Sequence, residues 1–353
     1  MNKKQIVLVI IITTVVVWLA DLLAGNYLSA KLATEPWAQR FNLFNPQAPI
    51  VVTNRETIRV NNSSDIVETA ESTKSKVSTL VYIENGRMVV TGSAINWTSD
   101  GYFLTAKSAL EATNKVYAIV TYSGDIYPVQ KIYPDLASNI VIVETSSQGT
   151  VVLDPADNND LRIGQQIVSV QNSIANKQSK FHTGFVEKLS ADTAGQVMES
   201  DLVSRDITLE LLDTVLPGSG IVNISGRLIG LWDGTKIIPV EELRLLFNGF
   251  LSHNKSIVRP SYGFSYQYLT EQEAKALQTN MGATVMGVAK DKPAGLVGLK
   301  VGDVITKVGD RDVNNELNFD NILRQLKPGD SIKFTIERGG QTLELNINAA
   351  QLK

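Results

Sequence analysis

The sequence predicts a mainly β body, an all-β barrel or sandwich, followed by a smaller unit of mixed helices and strands. Three observations carry this reading. Short β-type runs separated by Gly, Asn, Asp and Ser turns fill residues 77–232. At Pro239–Leu251 the pattern switches to helical spacing, with Val240, Leu243, Leu246, Phe247 and Phe250 on one face. The last hundred residues then alternate strands with short helices. In front of all this stands one apolar segment.

That segment, Ile6 to Gly25, is 20 residues long and follows Lys3 and Lys4; eleven of its first fifteen residues are Leu, Ile or Val. At about −0.3 to −0.6 kcal/mol each, these favour insertion by roughly 3–7 kcal/mol. Asp21 opposes insertion, but it sits near the end of the run, where a charge costs less. Length and flanking charge predict a single transmembrane helix, with the N-terminus in the cytoplasm and the body on the periplasmic or cell-surface side of the cytoplasmic membrane. The alternative is a cleaved signal peptide. Its apolar region would be shorter, and Leu22-Leu23-Ala24 is a poor cleavage site. Residues 26–60 read as a stalk, broken by Asn45-Pro46-Gln47-Ala48-Pro49. Tyr27, Trp37, Phe41 and Phe44 pack on a neighbouring subunit or at the membrane face, or belong to a lightly ordered stalk.

Asp65-Ile66-Val67-Glu68 has the capping pattern of a helix start. Strands are expected at Val77–Ile83, Arg87–Ile95, Val116–Thr121, Ile140–Val143, Gln166–Val170, Phe181–Leu189, Ile207–Leu211 and Leu228–Trp232. The helix at 239–251 closes this domain, and Ser252–Arg259 is a linker. Beyond it, Thr270 is a good N-cap, Ala283–Val288 is a strand, and a helix around Asn318–Leu326 ends at Pro328-Gly329.

Composition removes several classes of function. A net charge of −3 with no basic run argues against nucleic-acid binding. The absence of cysteine excludes disulfides, thiol catalysis and cysteine-ligated metals. No phosphate-loop or H-E-x-x-H string is present. The Asp154, Asp157, Asp160 loop lacks the full acidic calcium pattern, so no metal or cofactor is expected. Any histidine base would have to be His182 or His253.

Gly92-Ser93-Ala94-Ile95 and Ser99-Asp100-Gly101-Tyr102-Phe103-Leu104-Thr105-Ala106-Lys107-Ser108-Ala109-Leu110 resemble the HtrA-type trypsin-like serine proteases, which read G-S-G-F-I and S-D-G-Y-I-L-T-N-N-H-V-V here. Leu161–Val170, Thr183-Gly184-Phe185-Val186 and Gly226–Leu231 resemble further strings of that family, in the same order. The resemblance implies a trypsin-like double β-barrel and maps the triad. Ser108 stands at the histidine position and Asn139 at the aspartate position. Ser219, in the shortened string Pro217-Gly218-Ser219-Gly220-Ile221-Val222-Asn223, is the vestigial nucleophile or a tight-turn serine. Serine proteolysis needs a hydroxyl, a base and an orienting carboxylate, and loss of one member costs about 10⁴–10⁶ in rate. The resemblance therefore implies an inactive protease homologue. Three alternatives stay open: an alignment slipped onto Asp135, a serine–lysine site using Lys107 or another lysine, and a partner subunit that completes the site; the last two imply an active atypical serine endopeptidase of envelope protein quality control.

Residues 294–305 carry A-G-L-x-G-L-x-x-G-D-V-I, a string similar to that of PDZ domains in bacterial secreted proteases. The lead-in Val258–Phe264 resembles that family's carboxylate loop. The resemblance implies that Ser261, Tyr262, Gly263 and Phe264 capture a terminal carboxylate. The peptide then pairs as an added strand beside Tyr266, Phe319 and Ile322. The expected organisation is an anchor at 1–25, a stalk at 26–60, a protease-like domain at 61–252 and a PDZ domain at 253–353. The implied partners are peptides or protein C-termini, in a homotrimer or a mixed HtrA assembly.

Overall fold

In the computed structural model the strand-rich sequence from Val77 to Pro239 folds as two antiparallel β units that share a core. The structure describes residues 5, 11–18, 62–110, 114–157, 162–172, 179–189, 196–203, 207–211, 215–313 and 319–353. The chain divides into residues 1–60 and 61–353. In the first unit residues 11–18 are helical, with exposed apolar side chains such as Val17 and Trp18. Most of the expected membrane segment and all of the expected stalk lie outside the described residues. Among the described residues no helix is long and apolar enough to cross a membrane.

The second unit opens with helix α1 (Asn62–Thr73). It includes the three residues before the Asp65 pattern. Asp65 then lies in the first turn, where the helix dipole favours it. The first β unit comprises β1 (Val77–Glu84), β2 (Arg87–Asn96), β3 (Tyr102–Ala106), β4 (Tyr117–Val120), β5 (Ile126–Pro128), β6 (Lys131–Pro134) and β7 (Ile140–Glu144), in the order β5-β4-β1-β2-β3-β7-β6. The β1–β2 turn is Asn85-Gly86, both left-handed, which matches the strand twist.

The second β unit uses β8 (Gln166–Asn172), β9 (Ser179–Leu189), β11 (Ile207–Leu211), β12 (Gly220–Asn223), β13 (Leu228–Trp232) and β14 (Ile237–Pro239), closed as β11-β14-β13-β12-β8-β9. The strand β10 (Met198–Glu199) belongs elsewhere. Ile95, Leu104, Ile140 and Ile142 of the first unit meet Val168, Val222, Leu228 and Leu231 of the second in one buried cluster. Helix α2 (Val240–Ser252) seals it with Leu243, Leu246, Phe247 and Phe250. Burial of such side chains contributes about 1.5–3 kcal/mol each.

The C-terminal module contains β15 (Pro260–Ser261), β16 (Phe264–Tyr268), α3 (Glu271–Leu277), β17 (Ala283–Val288), α4 (Pro293–Leu296), β18 (Val304–Val308), β19 (Arg311–Asp312), α5 (Phe319–Gln325), β20 (Ser331–Arg338), β21 (Gln341–Asn348) and β22 (Ala350–Gln351). Thr270 and Glu273 form a reciprocal capping box at the start of α3. The sheet runs β10-β16-β17-β18-β20-β21. Its edge strand, β10, comes from the protease-like part of the chain.

Two buried ion pairs join this module to the β units. Arg259 Nε and Nη2 donate to Asp135 Oδ1 and Oδ2 at 3.0 and 2.9 Å, and Asp135 is fully buried. Arg324 on α5 lies 2.9 Å from Glu242 on α2, both nearly inaccessible to solvent.

Candidate functional site

Each triad-equivalent residue sits where the strand framework delivers it. Ser108 lies in a 3-10 turn (Lys107–Leu110) that directly follows β3. Asn139 immediately precedes β7, the neighbour of β3 in the sheet. Ser219 ends the turn that leads into β12. The turn at 233–236 also enters the cleft. Asp233 Oδ1 accepts from the backbone N–H groups of Thr235 and Lys236 at 2.8 and 2.9 Å, and this tightens the turn. Gly234, at φ +105°, brings the turn's backbone against Ser108; a Cβ there would lie 3.2 Å from Ser108 Oγ.

The groups that would form a triad do not hydrogen-bond to one another. Ser108 Oγ donates to Asp233 O at 2.7 Å. Asn139 Nδ2 donates to the same carbonyl at 3.3 Å. Ser219 is fully buried, and its Oγ donates to Leu216 O at 2.7 Å. An acyl-transfer site also needs free N–H groups aimed at the developing oxyanion. Here Gly218 N donates to Trp232 O at 2.7 Å and Ser219 N to Leu216 O at 3.2 Å. The shortened loop thus turns its donors inward.

The Asp135 and Lys107 alternatives meet a geometric answer. Asp135 is not aimed at the cleft: its carboxylate is held by Arg259, by Ser138 Oγ at 2.6 Å and by Ala137 N at 3.3 Å. Lys107 Nζ donates to the carbonyls of Asp135 and Ser138 at 3.1 and 3.3 Å, rather than to Ser219. His182 lies in β9 opposite Ser169. His253 follows the last residue of α2, where its N–H donates to Gly249 O at 3.1 Å and its Nδ1 lies 2.8 Å from the same oxygen. Among the described residues no cluster of three or more His, Cys, Asp or Glu side chains could hold a metal.

A second polar knot lies beside the linker. Glu144 accepts from Lys255 Nζ at 2.8 Å, Tyr133 OH at 2.7 Å and Tyr102 OH at 3.1 Å. Burial pushes its carboxyl up, but the three hydrogen bonds and the Lys255 charge outweigh that and bring it down to about 2. Burial, with the Glu144 charge, pushes the Tyr133 hydroxyl up to about 12.

At the other site, Ser261 closes β15 and Phe264 opens β16, with Tyr262 and Gly263 between them. Gly263 is at φ +78°, and a Cβ there would collide with Lys292. Tyr262 is buried, its OH donating to Leu323 O at 2.8 Å; burial pushes this hydroxyl up. Phe264, Tyr266 and Phe319 pack in the module's core, Tyr266 meeting Phe319 edge-on with ring centroids 4.9 Å apart. Ile322 is half-buried at its margin.

Sequence reasoning missed what occupies this loop. Asp201 Oδ1 accepts from Tyr262 N at 2.7 Å and Gly263 N at 3.0 Å, and Oδ2 accepts from Ser261 Oγ at 2.6 Å. The preceding residues form β10, antiparallel to β16, with Met198 opposite Tyr266 and Glu199 opposite Ser265. Met-Glu-Ser-Asp is polar and short, and nothing in it announces a strand.

Comparisons with known proteins agree with this architecture. Residues 92–231 match the family model described as a trypsin-like peptidase domain, and residues 260–349 the one described as a PDZ domain. The serine protease Do-like HtrB of Bacillus subtilis is 23% identical over 328 residues, covering 81% of this chain and 70% of that protein. The serine protease HTRA1 of Xenopus tropicalis is 25% identical over 310 residues, covering 78% and 65%. The chain spans about half of a probable periplasmic DegP-like endoprotease of Chlamydia pneumoniae, covering 55% of its length at 23% identity. Among solved structures, the HtrA-type protease AlgW with a decapeptide aligns at a TM-score of 0.63 and 17% identity, covering 82% of this chain and 98% of that one. The ordered strand framework, the two domain matches and these relatives together show a trypsin-like peptidase domain followed by a PDZ domain, in a chain similar to the HtrA-type serine proteases.

Proposed function

We propose that this protein is a pseudoprotease: an HtrA-type body that has lost hydrolysis and acts by binding peptides or protein C-termini through its PDZ module, as a scaffold, sensor or chaperone-like subunit. One observation carries this reading. The residues at the histidine and aspartate positions both donate to Asp233 O, while the serine hydroxyl donates to Leu216 O. Without a base the Ser219 proton has no acceptor when the hydroxyl attacks a carbonyl, and no N–H pair awaits the oxyanion. The apolar run at 6–25 behind Lys3 and Lys4 supports a membrane anchor with the body outside the cytoplasm. Assembly as a homotrimer, or with active HtrA copies, belongs to the same reading.

The test uses the full chain in detergent. It is expected to resist labelling by a fluorophosphonate probe and to leave unfolded casein intact. It is expected to bind free-acid decapeptides with apolar last residues more tightly than their amidated twins. Casein cleavage that disappears in Ser219→Ala overturns the first half of the proposal; equal binding of acid and amide overturns the second.

A further inference from the structure

The groove beside β16 is already filled by the chain itself. A peptide that adds to a sheet edge needs three things: main-chain pairing, a side-chain pocket and a cradle for its carboxylate. Residues 198–201 supply all three. Met198 and Glu199 pair with Tyr266 and Ser265. Ser200 N donates to Phe264 O at 2.9 Å, and Phe264 N donates to Ser200 Oγ at 3.1 Å, extending the ladder by one residue. The Met198 side chain is buried in the cluster that holds Phe264, Tyr266 and Phe319. The Asp201 carboxylate takes the two loop N–H groups and the Ser261 hydroxyl.

We propose that Met198–Asp201 is the resident ligand of this groove, a stand-in for a peptide C-terminus, and that external peptides enter by displacing it. The inference rests on the peptide-binding reading above and adds the chemistry of exchange. A competitor is extended, presents a free carboxylate to the N–H groups of Tyr262 and Gly263, and carries an unbranched apolar side chain into the space Met198 holds. Charge-assisted hydrogen bonds from backbone N–H groups are about twice as strong as neutral ones. The Asp201 carboxylate is therefore the strongest single hold on the segment. The resident ligand is tethered, so it competes at a high effective concentration. If the open groove is about one-tenth populated, external affinity falls tenfold.

The experiment compares the wild-type full chain with Asp201→Ala by fluorescence anisotropy, using fluorescein-labelled free-acid decapeptides that end in Leu, Val or Met. Hydrogen exchange of the 261–264 amides is followed in the same two proteins. Asp201→Ala is expected to bind up to about tenfold more tightly than wild type and to exchange these amides faster. Asp201→Asn, which keeps the shape and one acceptor, is expected to fall between and serves if the alanine variant fails to fold. Equal peptide affinity with unchanged amide protection overturns the resident ligand and leaves peptide binding standing. Faster exchange without peptide binding to either protein overturns the peptide-binding reading, and with it the competition.

Discussion

Asp233 O accepts from both Ser108 and Asn139, and the proposed loss of hydrolysis can be tested by restoring the two residue types. The double substitution Ser108→His and Asn139→Asp returns a base and a carboxylate. Ser219 nevertheless stays buried, with its hydroxyl on Leu216 O and its N–H group turned inward. No hydrolysis of unfolded casein above background is the expected outcome. The same loop depends on Gly218, at φ +85°, where a Cβ would overlap Ser93 O and Thr105 Oγ1. Gly218→Ala adds left-handed strain of about 1–2 kcal/mol to that collision. A loss of at least 2 kcal/mol in urea unfolding is expected. Glu144 provides a pH prediction. Its folded carboxyl titrates near 2, against an ordinary value of 4.5. A depressed carboxylate stabilises the fold above its unfolded pKa and loses that contribution as pH falls from about 4.5 towards 2. The stability difference between wild type and Glu144→Gln should therefore be widest at neutral pH and close across that window, as followed by thermal melts.

At the scale of elements, the strands that alternate or carry β-branched runs were legible. Ala283–Val288, Ile207–Leu211 and Leu228–Trp232 form as their sequences indicate, and α5 (Phe319–Gln325) lies within the helix expected around Asn318–Leu326. Strand β3 was read only as a family string, because every residue from Tyr102 to Ala106 is buried and the two-residue period is absent. Gly220–Asn223 was read as part of a nucleophile loop, yet it is a buried strand of the closed unit. The triad positions were legible because strings of the HtrA type locate them. Their actual partners were not, since Asp233 and Leu216 contribute carbonyl groups that every residue has. Strand β10 was invisible for a different reason: its two residues are held by β16, more than sixty positions away, rather than by any local preference.

At the largest scale, the protease-like part and the C-terminal module are tied together by charges hidden from water. Asp135 with Arg259 and Glu242 with Arg324 each join the protease-like part to the C-terminal module. Removing one partner of a buried pair leaves the other charge uncompensated and costs about 3–5 kcal/mol. Arg259→Met is expected to lower stability by that order, and Arg259→Met with Asp135→Leu to recover much of it, measured by urea unfolding of both variants. With both pairs intact, calorimetry should show one endotherm for residues 61–353 instead of two. Apolar contacts reinforce this: Ile257 and Leu352 pack against the core shared by the two β units. The consequence reaches into how such a sequence can change over time. A destabilising replacement anywhere in the binding module lowers the melting point of the β units as well. Under the pseudoprotease proposal, the protease-like half is therefore constrained in its fold by the module packed on it, whether or not its cleft performs chemistry.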